Sequence, residues 1–220
     1  MDEYIPLAKR NKKVHKPFVI TIVGAESSGK TKLATKLAEY LNCPWVPEYA
    51  REYLLLLGRS YNEADLEIIA DRQLETIIAV INRETSDVNR ETSNLDWQSE
   101  IGNRQSTLRA VIVDGGMMNL RMWAKIKYNK TIPIVEESLK NDVTDLYLLC
   151  RPHKKWKPDP LREAPSLIDR VWIFNKYLEE LVKNGKRTEI VSARKDNKFR
   201  KVIQRIEAFL QQENNLKKTD

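Results

Sequence analysis

The chain has 220 residues, 41% of them hydrophobic and 31% charged, with a formal net charge of +7. That length suits one well-cored domain and is short for two; no apolar run approaches the ~18 residues needed to cross a bilayer, and the N-terminal "MDEYIPLAKRNKKVHK" lacks the apolar core and cleavage site of a secretion signal. A cytoplasmic protein without a membrane partner is expected, with a basic arm at 1–16, one domain at 17–212 and a tail at 213–220.

In chain order, the first apolar run, Phe18 to Val23, reads as a strand buried on both faces, and Leu33, Leu37 and Leu41 mark a helix after it. Trp45 to Val46 is a weak strand. Leu66, Ile69, Ala70, Leu74, Ile77, Ile78 and Ile81 form an apolar helical stripe. From 83 to 109 almost nothing is apolar and "NRETS" occurs twice, which predicts a mobile surface insertion or an extended polar helix end. Val111 to Val113 and Leu146 to Cys150 are further buried strands, and Glu189 to Val191 is a weak one. Ser166 and Asp169 resemble a capping box opening a helix striped by Leu167, Val171, Phe174, Leu178 and Leu181; Val202, Ile203, Ile206, Phe209 and Leu210 mark a last helix. Strand and helix in alternation predict a three-layer, doubly wound parallel α/β fold with ligands at the C-terminal strand ends. Cys43 and Cys150 sit at no metal-ligand spacing and are expected to be reduced. The positive surplus gathers at the chain ends, so a solvated surface is favoured over a nucleic-acid groove.

"GAESSGKT" lies between the first strand and the first helix, and Gly24, Gly29, Lys30 and Thr31 fill the pattern G-x-x-x-x-G-K-[ST]. A loop of this kind turns the main-chain N–H groups of Gly24, Ala25, Glu26, Ser27, Ser28 and Gly29 toward a triphosphate, so ATP is the expected nucleotide. Lys30 reaches the outer phosphates and the Thr31 hydroxyl ligates Mg²⁺. Asp114, closing "AVIVD", is the matching carboxylate for the metal, ahead of a reading as a helix cap. At "WVPEYAREYL", Glu48 falls where the second strand ends: it either accepts a proton from an attacking hydroxyl or pairs with Arg51. "RPHKKWKPDPLREAPSLIDR" suits a lid, with Arg162 and Arg170 neutralising phosphoryl charge; a plain basic surface loop is the other reading.

Together, "GAESSGKT", "WVPEYAREYL", "YNEADLEIIADRQLE", "IVDGG…NLRMWAKIKY" and "DLYLLCRPHKKWKPDPLRE" followed by Arg170 resemble the NadR-type ribosylnicotinamide kinase family, grouped with AAA-like P-loop ATPases. The motifs come in the family's order and cover roughly residues 17 to 210, outside the polar insertion. The resemblance implies a P-loop fold of nucleoside/nucleotide-kinase type and ATP-dependent phosphorylation of the 5′-hydroxyl of nicotinamide riboside, giving nicotinamide mononucleotide in NAD biosynthesis. It maps the nucleotide loop onto Gly24 to Thr31, the acidic site onto Glu48 and Asp114, with either as general base, and the lid onto Trp156, Asp159 and Arg162. A flat pyridinium acceptor then needs an aromatic face: Tyr49, Trp123 and Trp156 are candidates, with Trp156 favoured and Trp123 expected to pack.

The chain departs from the family at Gly115, where Thr usually follows the Asp, and at Arg151, Lys154 and Lys155, which make the lid more basic. With 23 residues ahead of the loop, the adenylyltransferase domain fused to some family members is not expected. An ATP-binding regulatory switch and a nucleic-acid-linked ATPase are the alternatives to a kinase. A lid with Arg162 and a strand-end carboxylate at Glu48 favour transfer to a small-molecule nucleoside acceptor, and no arginine finger or oligomer motif is evident.

Overall fold

The computed structural model describes residues 16–94, 109–153, 155, 156, 159, 161–192 and 196–216. Five strands form one parallel sheet in the order β2-β3-β1-β4-β5: β1 Phe18–Val23, β2 Trp45–Val46, β3 Ala110–Asp114, β4 Leu146–Cys150 and β5 Thr188–Val191. The register aligns Ile22 with Asp114 on one side of β1 and Val23 with Leu149 on the other. Three loops that leave these strands therefore emerge at one edge of the sheet.

Alternation along β1 divides the core. Phe18, Ile20 and Ile22 pack with Leu33, Ala34 and Leu37 of α1 (Lys30–Leu41) and with Val202, Ile203 and Ile206 of α7 (Asp196–Leu216). Val19 and Val23 face the other way, toward α3 (Glu63–Asn94), α4 (Gly116–Trp123), α5 (Pro133–Lys140) and α6 (Leu167–Lys183). Helix, sheet, helix is the three-layer order expected from strands apolar throughout, because neither sheet face can be left to water. Each buried aliphatic side chain contributes roughly 1.5–3 kcal/mol, so the strand ends are held by a core far stronger than any single contact in the loops.

The stripe from Leu66 to Ile81 is the buried face of α3, although Ile78 is exposed. That helix runs on to Asn94, so the polar-helix alternative describes 83–94, while 95–108 lies outside the described residues. The arm at 1–15 also lies outside them, and α7 continues to Leu216, past the expected end at 212. Periodicity leaves 133–140 unassigned; α5 forms there with Pro133 in its first turn, where a missing N–H costs nothing. Ser166 caps α6, its hydroxyl accepting from the Ile168 and Asp169 amides. Among the described residues no helix is long and apolar enough to cross a membrane.

Candidate functional site

A cleft of about 1070 Å³ opens where β1, β2 and β3 end, lined by Gly24, Lys30 and Thr31 of the loop after β1 and by the aromatic side chains Tyr61, Trp123 and Trp172. Its phosphate end is made by backbone. Gly24 has φ +135°, and a Cβ there would lie 2.8 Å from the Cys150 carbonyl oxygen, so only glycine lets the loop leave β1 this close to β4. The Ser27 and Ser28 hydroxyls are buried without hydrogen-bond partners among the described residues. Lys30 opens α1, and its ammonium donates to the Ala25 carbonyl at 3.4 Å.

Asp114 ends β3 beside this loop and is 1% exposed. Its Oδ1 has no hydrogen-bond partner among the described residues. Burial, and then the charge of Glu48, pushes its carboxyl up to about 6, against the pull of Lys30 and a hydrogen bond with Thr31.

Glu48 occupies the turn between β2 and α2 (Tyr49–Leu56). Gln73, reaching across from α3, accepts from the Tyr49 amide at 2.7 Å and donates to the Pro47 carbonyl at 3.1 Å. The backbone on both sides of Glu48 is thereby fixed. Its Oε1 accepts from the Asn119 amide at 3.0 Å, and the Asn119 oxygen accepts from the buried Tyr177 hydroxyl at 2.9 Å. Arg51 turns away from Glu48 and pairs with Asp159 at 2.9 Å, so the alternative of a Glu48–Arg51 bridge gives way to a contact with the lid.

The lid crosses the cleft on carboxylates. Glu26 of the phosphate loop accepts from the backbone N–H groups of Glu163 and Ala164. Asp159 receives Arg51 and, at 3.8 Å, Arg162; the hydrogen bond from Arg51 holds its carboxyl below the usual range. Glu163 accepts from the Tyr61 hydroxyl at 2.7 Å and from Lys127 at 2.6 Å.

Four expected ligands are placed elsewhere, among them Asp159, which pairs with Arg51 and does not line the cleft. Arg170 is 1% exposed, and its guanidinium donates to the carbonyls of His153, Pro165 and Ser166. It ties the two ends of the lid together and does not line the cleft. Tyr49 packs against Tyr53, ring centroids 6.1 Å apart, on the core side of α2. Trp156 is not among the described residues that wall the cleft, and its indole N–H is buried without a partner among them.

The aromatic wall comes from positions read as packing or not singled out. Trp123 donates from its indole to the Tyr61 hydroxyl at 3.1 Å, with the rings edge to face at 5.1 Å. Lys127 lies 3.9 Å above the Tyr61 ring. Asn119, Trp123 and Lys127 follow at four-residue spacing, which was the available signal for one helical face. A π-helical turn, Ala124–Tyr128, finishes that face, and such turns collect at functional sites.

This arrangement defines the class: a P-loop protein with the fold of nucleotide kinases, in which the phosphate loop, two strand-end carboxylates and part of the segment after β4 line one cleft. More particularly, the chain belongs to the AAA domain family, whose model matches residues 19–198, and it is similar to proteins of the NadR type. The trifunctional NAD biosynthesis/regulator protein NadR of Salmonella typhimurium is 22% identical over 218 residues, covering 94% of this chain and 46% of that protein. Its Escherichia coli counterpart is 26% identical over 190 residues, covering 83% and 39%. The chain thus spans less than half the length of these relatives. Among solved structures, a NadR protein in complex with NR has a TM-score of 0.66 at 20% identity over 89% of this chain and 52% of that one. A thymidylate kinase from Ehrlichia chaffeensis gives 0.57 at 13% over 89% and 100%. The shared fold is that of P-loop nucleotide kinases.

Proposed function

We propose that this protein is an ATP-dependent kinase that phosphorylates a nucleoside-like alcohol, with nicotinamide riboside as the first acceptor to test. The observation that carries the reading is the continuity of the cleft: the phosphate loop, Glu48, Asp114 and the aromatic pair Tyr61 and Trp123 all line one cavity, with room for a triphosphate and a flat acceptor together.

Thr31 and Asp114 fit a magnesium ion, since the buried Asp114 Oδ1 has no hydrogen-bond partner among the described residues and Mg²⁺ takes one or two carboxylates together with substrate phosphates. Bound there, the ion would neutralise charge developing on the phosphates. Lys30 binds the outer phosphates, and Arg162, on the lid wall, faces the transferred group. Glu48 orients the acceptor hydroxyl and takes its proton as the oxygen attacks the γ-phosphorus; the bond to the bridging oxygen breaks and ADP leaves. Trp123 and Tyr61 offer the acceptor's ring an aromatic face, while the lid excludes water from the transfer.

The test is ADP formation across a panel of nucleosides, with chromatographic identification of the product. Stimulation by nicotinamide riboside with formation of its 5′-monophosphate is the expected result. ATP turnover unresponsive to every nucleoside would sink the kinase reading in favour of a regulatory nucleotide switch.

A further inference from the structure

We propose that Asn119 is a positioning residue for phosphoryl transfer: its amide holds the Glu48 carboxylate in one orientation, and Tyr177 fixes which way that amide points. The inference rests on the kinase reading above and deepens it. Its basis is a chain of two hydrogen bonds, Tyr177 hydroxyl to Asn119 Oδ1 at 2.9 Å and Asn119 Nδ2 to Glu48 Oε1 at 3.0 Å, joining α6 and α4 to the turn after β2.

Each link has only one workable direction. An ionised carboxylate accepts and never donates, so the Asn119 amide must present its NH₂ to Glu48. The amide oxygen then faces Tyr177, whose phenol is buried and pushed up by that burial, and so remains a donor. Reversing the amide would set its oxygen against the carboxylate and leave the tyrosine proton facing an N–H, two losses at once.

Glu48 needs such a restraint. Gln73 fixes the backbone of Pro47 and Tyr49 but does not hold the Glu48 side chain; Asn119 does.

Gly115 supplies an independent observation. It has φ +87°, and a Cβ there would lie 2.7 Å from Asn119 Nδ2 and 3.0 Å from Glu48 Oε1. The amide–carboxylate pair therefore crosses space that any side chain at 115 would contest.

The test is a double-mutant cycle on phosphorylation of the acceptor identified by the nucleoside panel, with ATP affinity measured separately. Asn119→Ala should lower kcat about 10- to 100-fold, the scale of a misplaced catalytic group, with the KM for ATP within about 2-fold. Asn119→Asp, nearly isosteric, should lose at least as much, and Tyr177→Phe about 3- to 10-fold. In a Glu48→Gln background Asn119→Ala should cost nothing further, because the group it positions is already disabled. Unchanged kcat in folded Asn119→Ala, or losses that multiply fully in the double variant, would overturn the proposal. If Asn119→Ala does not fold, Asn119→Asp and Tyr177→Phe decide the matter by the same criteria. A wild-type protein that phosphorylates no nucleoside overturns the kinase reading and this inference together; an active wild type with kcat-neutral Asn119 variants overturns this inference alone.

Discussion

The two ends of the cleft are built by different means. At the phosphate end, consecutive residues 24 to 31 set a backbone shape between β1 and α1, and a single β3 residue, Asp114, completes it. At the acceptor end, Tyr61 precedes α3, Trp123 closes α4, Lys127 sits in the π-helical turn and Glu163 lies in the lid, and these meet only through the fold. The first end is local and holds groups that every triphosphate has. The second is long-range and can differ between relatives without disturbing the first.

The comparison would break most visibly at Lys30. Lys30→Ala should lower ATP turnover by at least about 10²- to 10³-fold with the melting temperature nearly unchanged, because the one hydrogen bond of its ammonium among the described residues is a long one, to the Ala25 carbonyl at 3.4 Å. Near-normal turnover in the folded variant would show that the phosphate end is not where ATP is used.

Asp114 gives the next largest effect, with opposite signs in activity and stability. Its carboxyl is raised to about 6 in the folded protein from an unfolded value near 3.9. The native state therefore binds more protons than the unfolded state between these values, and its stability falls as pH rises from about 4 to about 6. Asp114→Asn removes that cost: the ligand-free variant should be more stable at neutral pH, by on the order of 2 kcal/mol, and flatter in its pH profile. The same substitution should abolish magnesium-dependent turnover. Thermal melts from pH 4 to 8 and a magnesium titration read the two effects separately, and unchanged magnesium dependence would return Asp114 to a capping role.

That split between local and long-range construction also governs what the sequence discloses. The five strands, the stripe on α3 and the phosphate loop follow from nearest-neighbour patterns, and the structure forms each of them. Arg170 misleads because an arginine beside a proline-rich basic loop looks the same whether its guanidinium meets phosphate or, as here, three carbonyls. The partners of Arg51 and Asn119 lie 108 and 71 residues away in the chain, beyond what periodicity reaches. Tyr49 packs against the core where the sequence offers an aromatic face, and Trp123, which packs as expected, also lines the cleft, because which face of a short helix turns to the core depends on the neighbours packed against it.

The smallest effect is the sharpest discriminator at the acceptor end, because two tryptophans compete for one role. Sequence context favours Trp156, which has no apolar periodicity to explain it and sits among lysines. The structure sets Trp123 on the cleft wall, its indole hydrogen-bonded to the Tyr61 hydroxyl and the two rings steeply inclined to each other. A flat acceptor stacking there would lose its contact in Trp123→Ala, raising the acceptor KM about 10-fold, equivalent to ~1.4 kcal/mol, with the KM for ATP unmoved. Trp156→Ala should change the acceptor KM less than about 2-fold, since Trp156 is not among the described residues that line the cleft and its removal leaves the carboxylate contacts of Glu26, Asp159 and Glu163 in place. Measuring both variants against both substrates yields four numbers, and the pattern matters more than any one of them. A large acceptor effect at Trp156 with none at Trp123 would mean that the lid closes further over its substrate than this structure shows, and that the acceptor's aromatic face belongs to the lid after all.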